Sequence, residues 1–119
     1  MAKLLVIDDE MLVAMALAAI LEDAGHEVAQ GRIGAGLQQD LELGDYALVV
    51  TDLNMPGMNG WDVAQWLGAN RPGIPVIAIS GRIVEDLDPV WVKSFAAVFT
   101  KPIDEPGLLR TIDRLLADR

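Results

Sequence analysis

The chain has 119 residues without an internal repeat, which fits one domain over residues 1–119, and its apolar share of 52% is enough for a well-filled core. A formal net charge of −9, with nine Lys and Arg scattered singly, argues against direct nucleic-acid binding and against anionic membrane surfaces. The absence of cysteine removes disulfides and thiolate zinc sites, and a start that turns acidic at Asp8 is unlike a secretory leader, so a cytoplasmic location is expected.

In chain order, KLLVI at 3–7 reads as a strand and runs into Asp8-Asp9-Glu10. The apolar run Met11 to Leu21 follows, too short and too closely flanked by Glu10 and Glu22 to span a bilayer, so it reads as a helix with Gly25 as its C-terminal stop. A helical wheel puts Val13, Leu17, Ile20 and Ala24 on the core stripe and turns Met11, Ala14, Met15 and Ala18 outward, where they could dock a helical partner. HEVAQ at 26–30 is a weaker strand, and YALVV at 46–50 a stronger one that continues to Asp52. Pro56, Gly57 and Gly60 then form a loop before the next helix, and PVIAIS at 75–80 is a further strand. Asp88-Pro89 reads as the N-cap and first turn of a short helix, leaving 82–87 as loop or frayed helix. AAVFT at 96–100 is the last strand, and Asp104 with Pro106 opens the final amphipathic helix, whose end, LLRTIDRLLADR, fits either a stand-alone unit or an excised piece. The alternation of near-continuous apolar strands with helices implies five strands and five helices in an α/β, doubly wound parallel sheet covered on both faces.

In such sheets the functional crevice lies at the carboxyl ends of the strands. Those ends carry Asp8 and Asp9, then Asp52, Ser80, and Thr100-Lys101. Carboxylates gathered at one edge repel and raise one another's pKa values unless a cation sits among them. Magnesium suits the set, since it prefers oxygen ligands and keeps several waters; calcium would want more protein oxygens, and zinc would want His or Cys, of which the chain has only His26, at the other end of a strand. With a metal present, a central carboxylate can attack phosphorus, which makes Asp52 the candidate nucleophile, with Ser80 and Lys101 holding the remaining phosphoryl oxygens.

At these residues the chain resembles the receiver domains of two-component response regulators, of the chemotaxis-regulator type: IDDE at 7–10, VVTDLNMPGMNGWD at 49–62, IAISG at 77–81 and FTKPID at 99–104. The likeness covers essentially the whole chain and implies a flavodoxin-like (βα)5 fold with strand order 2-1-3-4-5. It implies Asp52 as phosphoacceptor and Mg2+ held by Asp9, Asp52 and the Asn54 carbonyl, with Asp8 acting through a water. Ser80 and Lys101 would clamp the phosphoryl group, and the Lys101-Pro102 bond would be cis. It further implies a sensor histidine kinase or histidine phosphotransfer protein as donor, a monomer or weak dimer, and no enzymatic activity beyond the chain's own phosphorylation and dephosphorylation. Asn54 and Arg82 match positions that tune phosphoryl lifetime in the family.

Rival readings fail on the same residues. Taken singly, each aspartate could merely cap a helix or loop, Ser80 could be an ordinary strand-end hydroxyl and Lys101 a solvated charge. Independent capping does not explain acids, hydroxyl and ammonium at four strand ends in one spatial order. A haloacid-dehalogenase-type phosphatase needs a second acid where this chain has Asn54, an FMN phosphate would be repelled by Asp8-Asp9-Glu10, and no P-loop motif is present. The non-enzymatic rival is a receiver-like scaffold that binds partners without being phosphorylated. One departure from the family stands out. Three positions before the lysine, where an aromatic switch residue is common, the chain has Val98, with Phe99 next and so on the other strand face, which points to an atypical output surface between 82 and 100. Trp61, Trp66 and Trp91 are expected to be partly buried at helix faces.

Overall fold

A computed structural model describes residues 3–31, 44–53, 60–81 and 87–117. Five strands form one parallel sheet: β1 (Lys3–Ile7), β2 (Glu27–Gln30), β3 (Leu48–Asp52), β4 (Val76–Ser80) and β5 (Ala97–Thr100), in the order β2-β1-β3-β4-β5. This is the doubly wound order expected from the resemblance. The described helices are α1 (Met11–Asp23), α2 (Gly60–Asn70), α3 (Pro89–Lys93) and α4 (Glu105–Ala117). A fifth helix, expected between β2 and β3, would fall at 32–43, outside the described residues.

Central strands are buried on both faces, so side chains of opposite parity fill two separate cores. Leu5, Ile7, Val49 and Ala78 pack with Val63, Ala64 and Leu67 of α2 and with Phe95. Their neighbours Leu4, Val6, Leu48, Val50, Ile77 and Ile79 pack with Ala14, Leu17 and Leu21 of α1 and with Leu108 and Ile112 of α4. Val98 and Phe99 divide the same way, Val98 against the first core and Phe99 against the second. Trp61 and Trp66 are partly buried against the α2 core, as their helix-face positions imply.

The wheel reading of α1 needs correction. Ala14, Leu17, Ala18 and Leu21 face the core, whereas Val13 and Ile20 are only half-buried and Ala24 is exposed. Small residues at 14 and 18 let the helix lie close to the sheet, and the outward face carries Met11, Leu12 and Met15.

Helix ends follow their sequence signals. Asp88 caps α3 by accepting the Val90 amide at 2.9 Å, and the helix is short as expected. At the end of α1 the His26 amide donates to the Leu21 carbonyl and the Gly25 amide to the Glu22 carbonyl, the paired bonds of a Schellman stop. That turn puts Gly25 at φ 98, a conformation that disfavours any Cβ even though nothing lies within 4 Å of one. Gly25→Ala should therefore cost about 1 kcal/mol, purely from backbone conformation. Urea unfolding checks this: the midpoint should fall while the m-value stays constant.

Candidate functional site

Strand register brings the chemistry together. Ile7 lies opposite Thr51, so the next residues, Asp8 and Asp52, emerge side by side from β1 and β3. Asp52 pairs with Ile79, and Ser80 with Thr100, so Ser80 and Lys101 come one step further along β4 and β5. The Leu53 amide donates to the Ile79 carbonyl and the Lys101 amide to the Ser80 carbonyl, which carries the ladder past the strand ends and fixes their directions. The Lys101-Pro102 peptide is cis.

Asp8, Asp52 and Ser80 are buried and Asp9 is exposed. Carboxylate oxygens of Asp8, Asp9 and Asp52 all lie within 4.8 Å of one another. Lys101 is separated from β1 by β3 and β4, about 14 Å along the sheet at the usual strand spacing. The residues just past the strand ends and the side chains on both sides close that span together: Nζ is 3.7 Å from Asp8 Oδ2, 3.8 Å from Asp52 Oδ1 and 3.8 Å from Glu10 Oε1. The three Nζ separations exceed hydrogen-bond length, so the ammonium lies near three carboxylates without closing on any one of them.

Asp8 is the strained member. Its Oδ1 accepts the Glu10 amide at 2.9 Å, while Oδ2 is buried and, among the described residues, accepts no hydrogen bond. Burial pushes the Asp8 carboxyl above the usual carboxylate range, and Asp9 and Glu10 push the same way; the Glu10 amide and Lys101 pull it down without cancelling the rise. A buried carboxylate oxygen lacking a donor, beside two more carboxylates, is a donor set for a hard oxygen-seeking dication, and the residues therefore fit Mg2+.

Of the residues named from sequence, Asp8, Asp9, Asp52 and Lys101 converge, and Ser80 stands at the adjacent strand end. Asn54 lies outside the described residues, as do Pro56, Gly57 and Arg82. His26 takes no part: its Nε2 lies 4.0 Å from Asp113 of α4. Sequence reasoning missed Glu10 as a partner of Lys101; the only signal was a third consecutive acid in IDDE.

Residues 4–113 match the family model for the response regulator receiver domain, and the chain belongs to that family. It is 35% identical to Protein PilH of Pseudomonas aeruginosa over 98% of this chain and 99% of PilH. It is 31% identical to the transcriptional regulatory protein CusR of Escherichia coli over 66% of this chain but only 34% of CusR, so its relatives include much longer proteins. Among solved structures, response regulator TrrA of Thermotoga maritima, in complex with Mg2+-BeF, has the same fold at TM-score 0.87 and 23% identity, covering 97% of this chain and 99% of TrrA. TrrA is also known in complex with the histidine kinase ThkA, where it superposes at TM-score 0.86 and 24% identity over 98% of this chain and 99% of TrrA.

Because folding raises the Asp8 pKa, the folded chain binds more protons than the unfolded chain just above pH 3.8. The stability this confers is complete below pH 3.8 and is lost as pH rises through the native value, leaving a penalty at neutral pH. Asp8→Asn should stabilise the metal-free protein at pH 7 by about 1 kcal/mol, with the advantage shrinking as pH falls. Urea midpoints of both proteins in chelator across pH 4 to 7 provide the check.

Proposed function

We propose that the chain is a phosphoacceptor that takes a phosphoryl group onto Asp52 from a phosphohistidine, on a sensor histidine kinase or a histidine phosphotransfer protein, with Mg2+ bound. An Asp52 oxygen attacks phosphorus, an O–P bond forms, the P–N bond breaks, and the imidazole leaves with the electron pair and takes a proton from solvent. The observation that carries this reading is the buried Asp52 carboxylate with the Lys101 ammonium 3.8 Å away and the unsatisfied Asp8 oxygen beside them.

Asp9, Asp52 and the Asn54 carbonyl would hold the metal, with Asp8 acting through water. When bound, Mg2+ neutralises the acids and screens the incoming phosphoryl charge. Lys101 then takes one phosphoryl oxygen as an ion pair, and the Ser80 hydroxyl donates to another, so the transferred group is met by donors already fixed by β4 and β5. The fold seen in TrrA with Mg2+-BeF, and in TrrA with the kinase ThkA, supports the same reading. The chain acts on its own side chain only, with slow hydrolysis afterwards, and is not an enzyme in the turnover sense. Its acidity and lack of cysteine suit the cytoplasm. Among the described residues, no helix is long and apolar enough to cross a membrane.

Signalling requires the phosphoryl group to favour one of two conformations by differential contacts. With Val98 packed into one core and Phe99 into the other, no aromatic at 98 is available to swing, so we assign the response to Ser80 and the segment up to Thr100. The donor is proposed to dock on α1, where Met11 (73% exposed), Leu12 (81%) and Met15 (52%) form an apolar patch beside Asp9.

Titration with beryllofluoride and Mg2+, read by tryptophan fluorescence, should give a saturable response that Asp52→Asn abolishes. A response unchanged in the variant refutes the site, and none in either protein favours a scaffold that is never phosphorylated. Met15→Glu should slow transfer from a phosphotransfer protein that labels the wild type by about tenfold, as for loss of an interface anchor, while labelling by phosphoramidate stays unchanged. Equal slowing with both donors would remove α1 from donor docking.

A further inference from the structure

Glu10 occupies the N-cap position of α1, yet its side chain makes no capping hydrogen bond to the helix. Glutamate is a poor cap, and the first-turn amides would be better served by Ser, Thr, Asp or Asn. Its carboxylate lies instead 3.8 Å from Lys101 Nζ, with the Glu10 side chain 66% exposed and that of Lys101 27%. The Glu10 amide meanwhile holds Asp8 Oδ1 at 2.9 Å. One residue thus ties its backbone to the metal-binding edge and its side chain to the ammonium.

The three carboxylates stand almost equidistant from Nζ, at 3.7, 3.8 and 3.8 Å. None is at hydrogen-bond length, so the ammonium is shared and not committed. Two of its partners, Asp8 and Asp52, belong to the buried site, and Glu10 pulls from the solvent side. A phosphoryl group on Asp52 must draw the ammonium fully to itself. Whatever attraction Glu10 exerts is lost at that moment and opposes the movement.

We infer that Glu10 is a positioning residue that holds Lys101 back from the phosphoryl group, so that its carboxylate sets how tightly the site grips a phosphoryl-like anion. This rests on the reading of Asp52 as phosphoacceptor. Because Glu10 is mostly exposed, solvent and salt screen its pull, and the effect belongs to the modest range of exposed ion pairs.

The test is a four-protein cycle: wild type, Glu10→Gln, Lys101→Gln and the double variant, each titrated by calorimetry with beryllofluoride at saturating Mg2+. Glu10→Gln should tighten beryllofluoride about two- to fivefold in the wild-type background, and the tightening should weaken as salt is raised. In the Lys101→Gln background the same substitution should change affinity by much less, because there is no ammonium left to share. Equal tightening in both backgrounds would mean that Glu10 acts only as a nearby negative charge, and no change or a loss of affinity in the first background would mean that it does not restrain Lys101. Either result overturns the proposal and leaves the phosphoacceptor reading standing, whereas a wild type that binds no beryllofluoride overturns both. Saturating Mg2+ offsets the lost cation in the Lys101 variants, and Lys101→Met supplies the same background should the glutamine variant aggregate. The urea midpoint of Glu10→Gln should match the wild type, separating positioning from a general effect on the fold.

Discussion

Like charges crowded at one edge of a sheet have to be compensated, and everything in this molecule that bears on function follows from that requirement. Asp8, Asp9 and Asp52 bring carboxylate oxygens within 4.8 Å of one another, and two of the three residues are buried. Left alone, such a cluster would protonate or force the strand ends apart. One ammonium, reaching across from β5, provides partial compensation, and its even spacing from Asp8, Asp52 and Glu10 indicates that it does not complete the task. The unsatisfied oxygen of Asp8 marks what is still missing. A site balanced short of neutrality can take up a dication and then an anion, each relieving what the other introduces.

The fold makes this arrangement rigid. Parallel pairing places Asp8 beside Asp52, and β4 and β5 deliver Ser80 and Lys101 one step further on. Each strand is clamped between two cores of opposite parity, so no strand end can slip by one residue without turning apolar side chains onto the wrong face. The acids therefore cannot relax apart. Membership of the receiver family places the site in a group of proteins whose members range from PilH, matched over 99% of its length, to longer regulators such as CusR.

Much of this was legible in the sequence because strand ends are. Apolar Val- and Ile-rich runs located β1, β3 and β4, the weaker patterns HEVAQ and AAVFT gave β2 and β5, and an acid, a hydroxyl or an ammonium at the ends of four of them identified the crevice before any register was known. The β3 run extended to Asp52, two residues beyond the apolar stretch, because a carboxylate can end a strand when its edge faces a polar crevice. The phase of α1 was not legible. Eleven consecutive apolar residues from Met11 carry no amphipathic signal, and only packing decides that the small Ala14 and Ala18 face the sheet while Met15 faces out. By contrast α4 alternates clearly, and its Leu108 and Ile112 are buried. Glu10 was missed for another reason: a glutamate before a helix looks like a terminal charge, and its contact depends on a lysine 91 positions later that only strand order brings near.

The central proposal is that Asp9 and Asp52, with Asp8 beside them, hold a divalent ion at the carboxyl edge of β1 and β3. Anomalous diffraction from crystals soaked in Mn2+, a stand-in for Mg2+, reads that directly. The account predicts one strong peak about 2 Å from carboxylate oxygens of Asp9 and Asp52, with Asp8 alongside. A soaked crystal with no peak there, or with its peak on acids elsewhere on the surface, would contradict it.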